Sequence, residues 1–254
     1  MELPRTPSFR LDGRTALVFG ASSGIGLGAA MALAEAGARV ICAARGAERL
    51  NEAVAAIRHA GCDAEALVLD IADTAAVAEA IGGLDRLDVM VNSAGVARHG
   101  PALETTPEDF DAVAMVNWRA AHFAAQAAAR KMIAGGNGGS IITISSQMAH
   151  VGGIDRAVYA ASKHAVEGMT KSMAIEWGPK GVRVNTICPT FVRTPLTEPT
   201  FADPARVAWI EDKIKLGRVG EIEDIMGAVV FLASDASALV TGASLLVDGG
   251  WTAG

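Results

Sequence analysis

Tyr159 is the only tyrosine in 254 residues, and Lys163 follows it at a spacing of four. On a helix that spacing puts both side chains on one face, where an ammonium stabilises negative charge on a phenol oxygen. Such a pair can give a proton to, or take one from, an alcohol oxygen. Ser146 precedes Tyr159 by thirteen residues, just past an apolar run, and can donate to that same oxygen. Asn117 adds an amide farther upstream. Each residue also has an ordinary reading, because Tyr–Lys pairs decorate helix surfaces and single Ser or Asn residues cap and turn the chain. No Gly-x-Ser-x-Gly elbow surrounds Ser146, which argues against nucleophilic hydrolysis.

A second constellation lies near the start. Gly20, Ala21, Ser22, Ser23, Gly24, Ile25 and Gly26 follow an apolar run and open a helical pattern. Glycines there let a pyrophosphate approach the backbone, and helix N-terminal amides favour an anion; tight turns need glycines too. An acid after the second strand would bond the ribose hydroxyls and repel a 2′-phosphate. The chain has Ala44 and then Arg45, whose guanidinium can pair with a phosphate. NADP(H) is therefore preferred and NAD(H) stays possible, since Arg45 can instead lie on the adenine. Asp70 either bonds the adenine amino group or caps the next turn.

The elements that must position these groups alternate regularly. Apolar runs predict strands at 15–20, 39–44, 64–69, 87–91, 140–145, 182–188 and 244–247, with helices at 25–36, 48–60, 110–133 and 157–177. Strands rich in Val, Ile and Leu without polar alternation belong to a sheet buried on both faces. Repeated β-then-α order implies an α/β, doubly wound parallel sheet of about seven strands in a single domain, 1–254. Ligands bind such sheets beyond the carboxyl ends of the strands, which is where these polar clusters fall. The cluster 135–139 reads as a tight connection. The stretch 195–204, with Pro195, Pro199 and Pro204, is irregular and begins a substrate lid over 195–216, which Phe201 and Trp209 could close.

Composition narrows the field further. The chain is 51% hydrophobic and 20% charged, enough for a large core. A net charge of −6 and no basic stripe exclude a nucleic-acid surface. No run approaches the ~20 apolar residues of a membrane helix. The opening residues lack a signal peptide's apolar region, so a cytoplasmic location is expected. Cys42, Cys62 and Cys188 lack ligand spacing and read as small buried thiols, with neither metal nor disulfide expected.

Together these motifs resemble the short-chain dehydrogenase/reductase family over essentially the whole chain. Gly20 to Gly26 is similar to its TGxxxGxG element, with Phe19 in place of threonine. Asn92-Ser93-Ala94-Gly95 resembles NNAG, Tyr159 to Lys163 matches YxxxK, and Ser146 stands at the family's distance. Arg183-Val184-Asn185 and Pro189 match a later signature, with Thr190 where glycine is common. The resemblance implies a Rossmann-type fold and a nicotinamide cofactor bound by Gly20, Ser22, Ser23, Gly24, Ile25, Gly26, Arg45, Asp70, Ile71, Asn92, Ala94, Gly95, Tyr159, Lys163, Pro189, Thr190, Val192 and Thr194. It implies catalysis by Asn117, Ser146, Tyr159 and Lys163, with Asn117 placing a proton relay behind Lys163. It also implies a homotetramer, for which the alanine-rich helices 110–133 and 157–177 and the end 243–251 offer contact surface.

The substrate is less legible. His150 and Arg156, with Arg98 and His99, could present donors to a hydroxylated or carboxylated molecule, or be ordinary loop polarity. Three functions remain in view. The first is an alcohol–ketone oxidoreductase acting on a small polar, sugar-like or sugar-acid substrate. The second is a 3-oxoacyl-thioester reductase, for whose acidic carrier protein Arg130 and Lys131 form a thin basic patch. The third is a non-catalytic nucleotide sensor, which would not need Ser146, Tyr159 and Lys163 together.

Overall fold

The computed structural model describes residue 1 and residues 3–254. Among the described residues seven strands form one sheet: β1 Thr15–Phe19, β2 Arg39–Ala44, β3 Ala64–Val68, β4 Val89–Asn92, β5 Gly139–Ile144, β6 Val182–Pro189 and β7 Ser244–Val247. Their order is β3-β2-β1-β4-β5-β6-β7, and every neighbouring pair is parallel. The strand order reverses between β1 and β4, so a crevice opens beyond their carboxyl ends.

The alternation along β1 explains how the helices attach. Ala16 and Val18 face one apolar cluster; Leu17 and Phe19 face another. The first cluster buries α1 (Gly24–Glu35), α2 (Ala47–His59) and α9 (Glu223–Ala233), through residues such as Leu33, Leu50 and Leu232. The second buries α3 (Thr74–Gly82), α5 (Ala121–Ala134) and α6 (Ala157–Trp177), through Ile81, Ala128, Met132 and Met173. Alanines on α5 let that helix approach the sheet closely, and each fully buried leucine contributes about 1.5–3 kcal/mol. No helix among the described residues is long and apolar enough to cross a membrane.

Three local departures from the sequence reading bear on the site. The fourth strand begins at Val89, because the Asp88 carboxylate turns aside to accept from Thr15 N (2.8 Å) and pair with Arg86 (2.7 Å). It runs on to Asn92, which stands between Phe19 and Thr143 on the flanking strands. The single helix expected over 110–133 is three pieces: α4 (Pro107–Val113), a π-helical stretch Ala114–Ala120, and α5. Periodicity does not register an i→i+5 turn, because apolar residues continue through it. The stretch taken as irregular holds α7 (Glu198–Phe201), and Pro204 opens α8 (Pro204–Lys213), whose first amides bond the Asp203 carboxylate (Ala205 N, 2.9 Å).

Candidate active site

The glycine turn after β1 is built by close backbone approach. Gly20 has φ +77°, and a Cβ on it would lie 2.9 Å from Ala94 N. Across the turn, a Cβ on Gly26 would lie 2.2 Å from Gly20 O. Gly24 is covered by Thr194, whose side chain lies 3.4 Å from where a Cβ would stand. Ser23 begins α1 without capping it, and the first turn carries no acid. By contrast Asp73, Thr106 and Asp203 cap α3, α4 and α8. The α1 amides therefore have no side-chain oxygen on them, as is also true of α2, α6 and α9, and stay open to an anion.

Further along the same edge, Arg45 is exposed after β2, with Nη1 4.0 Å from Asp70 Oδ2. Asp70 also accepts from Ala72 N at 2.9 Å, so it caps its turn and tethers Arg45 loosely. Ile71 is buried beside it. Asn92 is buried and accepts from Ala94 N (3.1 Å), which shapes the bend through Ala94 and Gly95. Pro189 ends β6, Thr190 N donates to Val247 O (3.2 Å), and Val192 bridges to Gly220. These positions all lie at or just past the carboxyl ends of their strands, from β2 to β6, on one edge of the sheet.

The proton-handling residues meet beyond β5. Lys163 is buried on α6, donates to Ile144 O at 2.9 Å, and holds Nζ 5.6 Å from the Tyr159 ring centre. Ser146 accepts from Met148 N (3.1 Å), and no group among the described residues takes its hydroxyl hydrogen. Asn117, in the π-helical stretch, accepts from Val96 N (2.8 Å) and donates to Val96 O (2.9 Å) and Ser162 Oγ (3.2 Å). Its side chain thus ties the loop after β4 to α6.

Unsatisfied polar atoms mark where a ligand would add bonds. Buried atoms without a partner among the described residues are Ser145 Oγ, Gln147 Oε1, Arg156 Nη1, Thr170 Oγ1 and Thr190 Oγ1. All except Thr170 follow the carboxyl ends of β5 and β6 or open α6. Native proteins rarely leave such atoms unbonded. With the glycine cradle and uncapped α1, they fit a dinucleotide lying along this edge.

Near the amino end of α6 lies a cavity of about 280 Å³, walled by Met148, Phe191, Trp209 and Trp251, with Arg156, Asp203 and Arg206 among its polar residues. Trp209 and Phe191 each pack against Trp251 with ring centres 5.6 Å apart. Phe201, expected beside Trp209, instead packs under Arg193 (4.8 Å) and the small cluster around Ile210 and Ile214. His150 is exposed and stands with Glu167 and Cys188 within 4.8 Å, away from the cavity wall. Glu167 there accepts from Thr186 (2.9 Å) and Ser244, and burial with Glu167 pushes the Cys188 thiol up to about 11. All three cysteines are free.

Several participants were faint or absent in the sequence. His99 touches Tyr159 edge-on (5.6 Å), whereas Arg98 turns to Asp109 (3.5 Å); the adjacent pair offered no way to separate them. Burial, then Arg156 and Arg206, push His99 down to about 4, so it is neutral near pH 7. Phe191, Arg206 and Trp251 reach the cavity from three distant segments, which no local spacing reveals.

A family model described as enoyl-(acyl carrier protein) reductase matches residues 20–252. D-threitol dehydrogenase of Mycolicibacterium smegmatis is 43% identical, covering 96% of this chain and 95% of its own. L-xylulose reductase of Bos taurus is 40% identical, covering 96% and 98%. The solved structure of a gluconate 5-dehydrogenase from Burkholderia cenocepacia, in complex with NADP and tartrate, superposes with a TM-score of 0.93 at 38% identity, covering 97% and 98%. With the β1 glycine turn and the Ser146, Tyr159 and Lys163 cluster at the same sheet edge, these likenesses decide the matter: the chain belongs to the short-chain dehydrogenase/reductase family.

Proposed function

We propose that this protein is an NADP(H)-preferring oxidoreductase that interconverts a secondary alcohol and a ketone on a small polyhydroxylated substrate, with NAD(H) as a weaker alternative. The observation that carries this reading is the meeting of Ser146, Tyr159 and Lys163 at the carboxyl edge of the sheet, with a small aromatic-walled cavity near the amino end of the helix that bears Tyr159 and Lys163. The named relatives support it, since they act on xylulose, threitol and gluconate, and a neighbour binds NADP.

A bound nicotinamide supplies or accepts the hydride. The protein's part is positional and protonic. Ser146 donates to the substrate oxygen and holds it against Tyr159. Tyr159 delivers a proton to that oxygen in reduction and removes one in oxidation. Lys163, fixed by Ile144 O, stabilises negative charge on the phenol oxygen and can reach the nicotinamide ribose. Asn117 supports the relay by anchoring Val96 and Ser162. Gly20, Ser22, Ser23, Gly24, Ile25 and Gly26 cradle the pyrophosphate, and Arg45 takes a 2′-phosphate. Asp70, Ile71, Asn92, Ala94 and Gly95 flank the adenosine and its ribose, while Pro189, Thr190, Val192 and Thr194 flank the nicotinamide.

Residues 195–216 serve as the lid. Their apolar side chains Ile210 and Ile214 pack with Val219, Phe191, Phe201 and Trp251 as a cluster separate from the two main ones, so the segment can shift without opening the core. Exposed Phe110, Met115, Trp118 and Phe123, on α4, the π-helical stretch and α5, support a homo-oligomer, taken here as a tetramer, and a cytoplasmic location is part of the same reading. The thioester reading has less support, because Arg130 and Lys131 alone make a thin basic patch and the named relatives act on sugars and polyols. The test is NADP⁺ reduction across polyols, aldonic acids and hydroxyacyl thioesters, with Tyr159→Phe as control. Turnover of a polyol or aldonic acid, lost in Tyr159→Phe, is the expected result; turnover of thioesters alone overturns it.

A further inference from the structure

The cavity near the amino end of α6 holds a buried guanidinium that forms no ion pair among the described residues. Arg156 is 7% exposed, and its Nη1 is buried without a partner. None of the ion pairs among the described residues includes it. Its one aromatic contact, Phe191, lies at 6.0 Å, the outer limit of a useful cation–π distance. A buried guanidinium in that condition costs several kcal/mol unless an anion joins it. Burial and then Arg206 push Arg156 down, and the nearby Tyr159 and Asp155 offset this only in part.

We propose that Arg156 binds a carboxylate of the substrate, so that this protein acts on sugar acids in preference to neutral polyols or ketoses. The proposal rests on the oxidoreductase reading of the same site and deepens it. A guanidinium matches the two oxygens of a carboxylate in one plane. Arg156 immediately precedes α6 and stands three residues before Tyr159, so one small molecule can reach both groups. Arg206, exposed on α8, lines the cavity and adds a second cation from the lid. Asp203 also lines it, with Oδ1 already accepting from Ala205 N and Arg206 N. The lining thus carries two guanidiniums against one carboxylate, with Asp155 adjoining Arg156, a balance that suits a monoanionic carboxylate better than a dianionic phosphate ester. His99, neutral and against Tyr159, is left to bond hydroxyls.

D-gluconate and D-sorbitol form a matched pair, differing only in a carboxylate for a hydroxymethyl group. The wild type should oxidise gluconate with kcat/KM at least tenfold above sorbitol. Arg156→Gln should lower that ratio about tenfold to a hundredfold through KM for gluconate, and Arg156→Lys should restore part of it. Arg156→Lys also carries the test if the glutamine variant melts early. A sorbitol preference, or equal loss on both substrates, overturns the proposal; an Arg156-dependent preference for sorbitol 6-phosphate replaces carboxylate with phosphate and also overturns it. Quenching of Trp209 and Trp251 fluorescence by gluconate in the non-reacting NADPH complex reads binding without turnover. Arg156-dependent quenching without turnover of any sugar would leave the anion site standing and remove the sugar-oxidoreductase reading. Sorbitol turnover without gluconate quenching would do the reverse.

Discussion

Replacing Gly26 by alanine tests the nucleotide cradle most directly. The new methyl carbon would lie 2.2 Å from Gly20 O and 2.7 Å from Gly20 C, whereas ordinary heavy-atom contact is about 3.5 Å. Something must move by about 1 Å. Gly20 has little room to rearrange, because a Cβ built on it would itself lie 2.9 Å from Ala94 N and 3.0 Å from Ser93 C. The start of α1 must therefore swing outward, taking its amides away from the pyrophosphate. Losing one charge-assisted hydrogen bond, at about 1.5–3 kcal/mol, should weaken NADPH binding about tenfold to a hundredfold. The overpacking itself should cost about 1–3 kcal/mol and lower Tm by about 2–10 °C. Gly28→Ala is the control. Its methyl group also meets a 2.2 Å gap, but against Ile222 Cγ2, the end of a side chain. A rotamer change there costs about 0.5–1.5 kcal/mol, roughly offset by the helix propensity gained over glycine. NADPH titration by fluorescence and thermal melts on both variants read the difference. If Gly26→Ala binds within twofold of wild type, or Gly28→Ala loses as much, the cradle argument is wrong.

The remaining expectations are more compact. Tyr159→Phe should abolish turnover while NADPH affinity changes less than about threefold, since a hydroxyl contributes about 1 kcal/mol or less to binding; retention of more than a few per cent of kcat would move the proton role elsewhere. Arg45→Ala should erase most of a roughly tenfold or greater preference for NADP(H), as kcat/KM with both cofactors will report; NAD-favouring wild-type values would show that Arg45 serves the adenine. His99, pushed down to about 4, should titrate by NMR below the usual histidine range. The unfolded chain then binds the extra proton first, so stability should fall as pH drops from about 6.5 towards 4, and His99→Gln should flatten that window. Sedimentation at micromolar concentration should show an assembly larger than the 26.0 kDa chain, and a monomer would leave Trp118 and Phe123 unexplained.

Much of this protein was determined by its sequence alone. Short apolar runs set out the seven strands within a residue or two, because the central strands are buried on both faces and admit little else, while the edge strands β3 and β7 are half-exposed. Their alternation with helices implied a parallel sheet, and Gly20, Tyr159, Lys163 and Ser146 were visible because their partners lie within a few residues or one element. What tertiary structure alone decided involves residues far apart in the chain. Arg45 gained its loose tether to Asp70, and Asn117 turned to Val96 and Ser162 through a π-helical turn that apolar periodicity cannot encode. His99 and Arg98 parted company, and Arg156 became a buried cation without an anion. The cavity wall joins Met148, Phe191, Trp209 and Trp251 across a hundred residues. Spacing along a strand or helix fixes which face a side chain takes; only packing between elements fixes what that face meets, and substrate choice depends on the second.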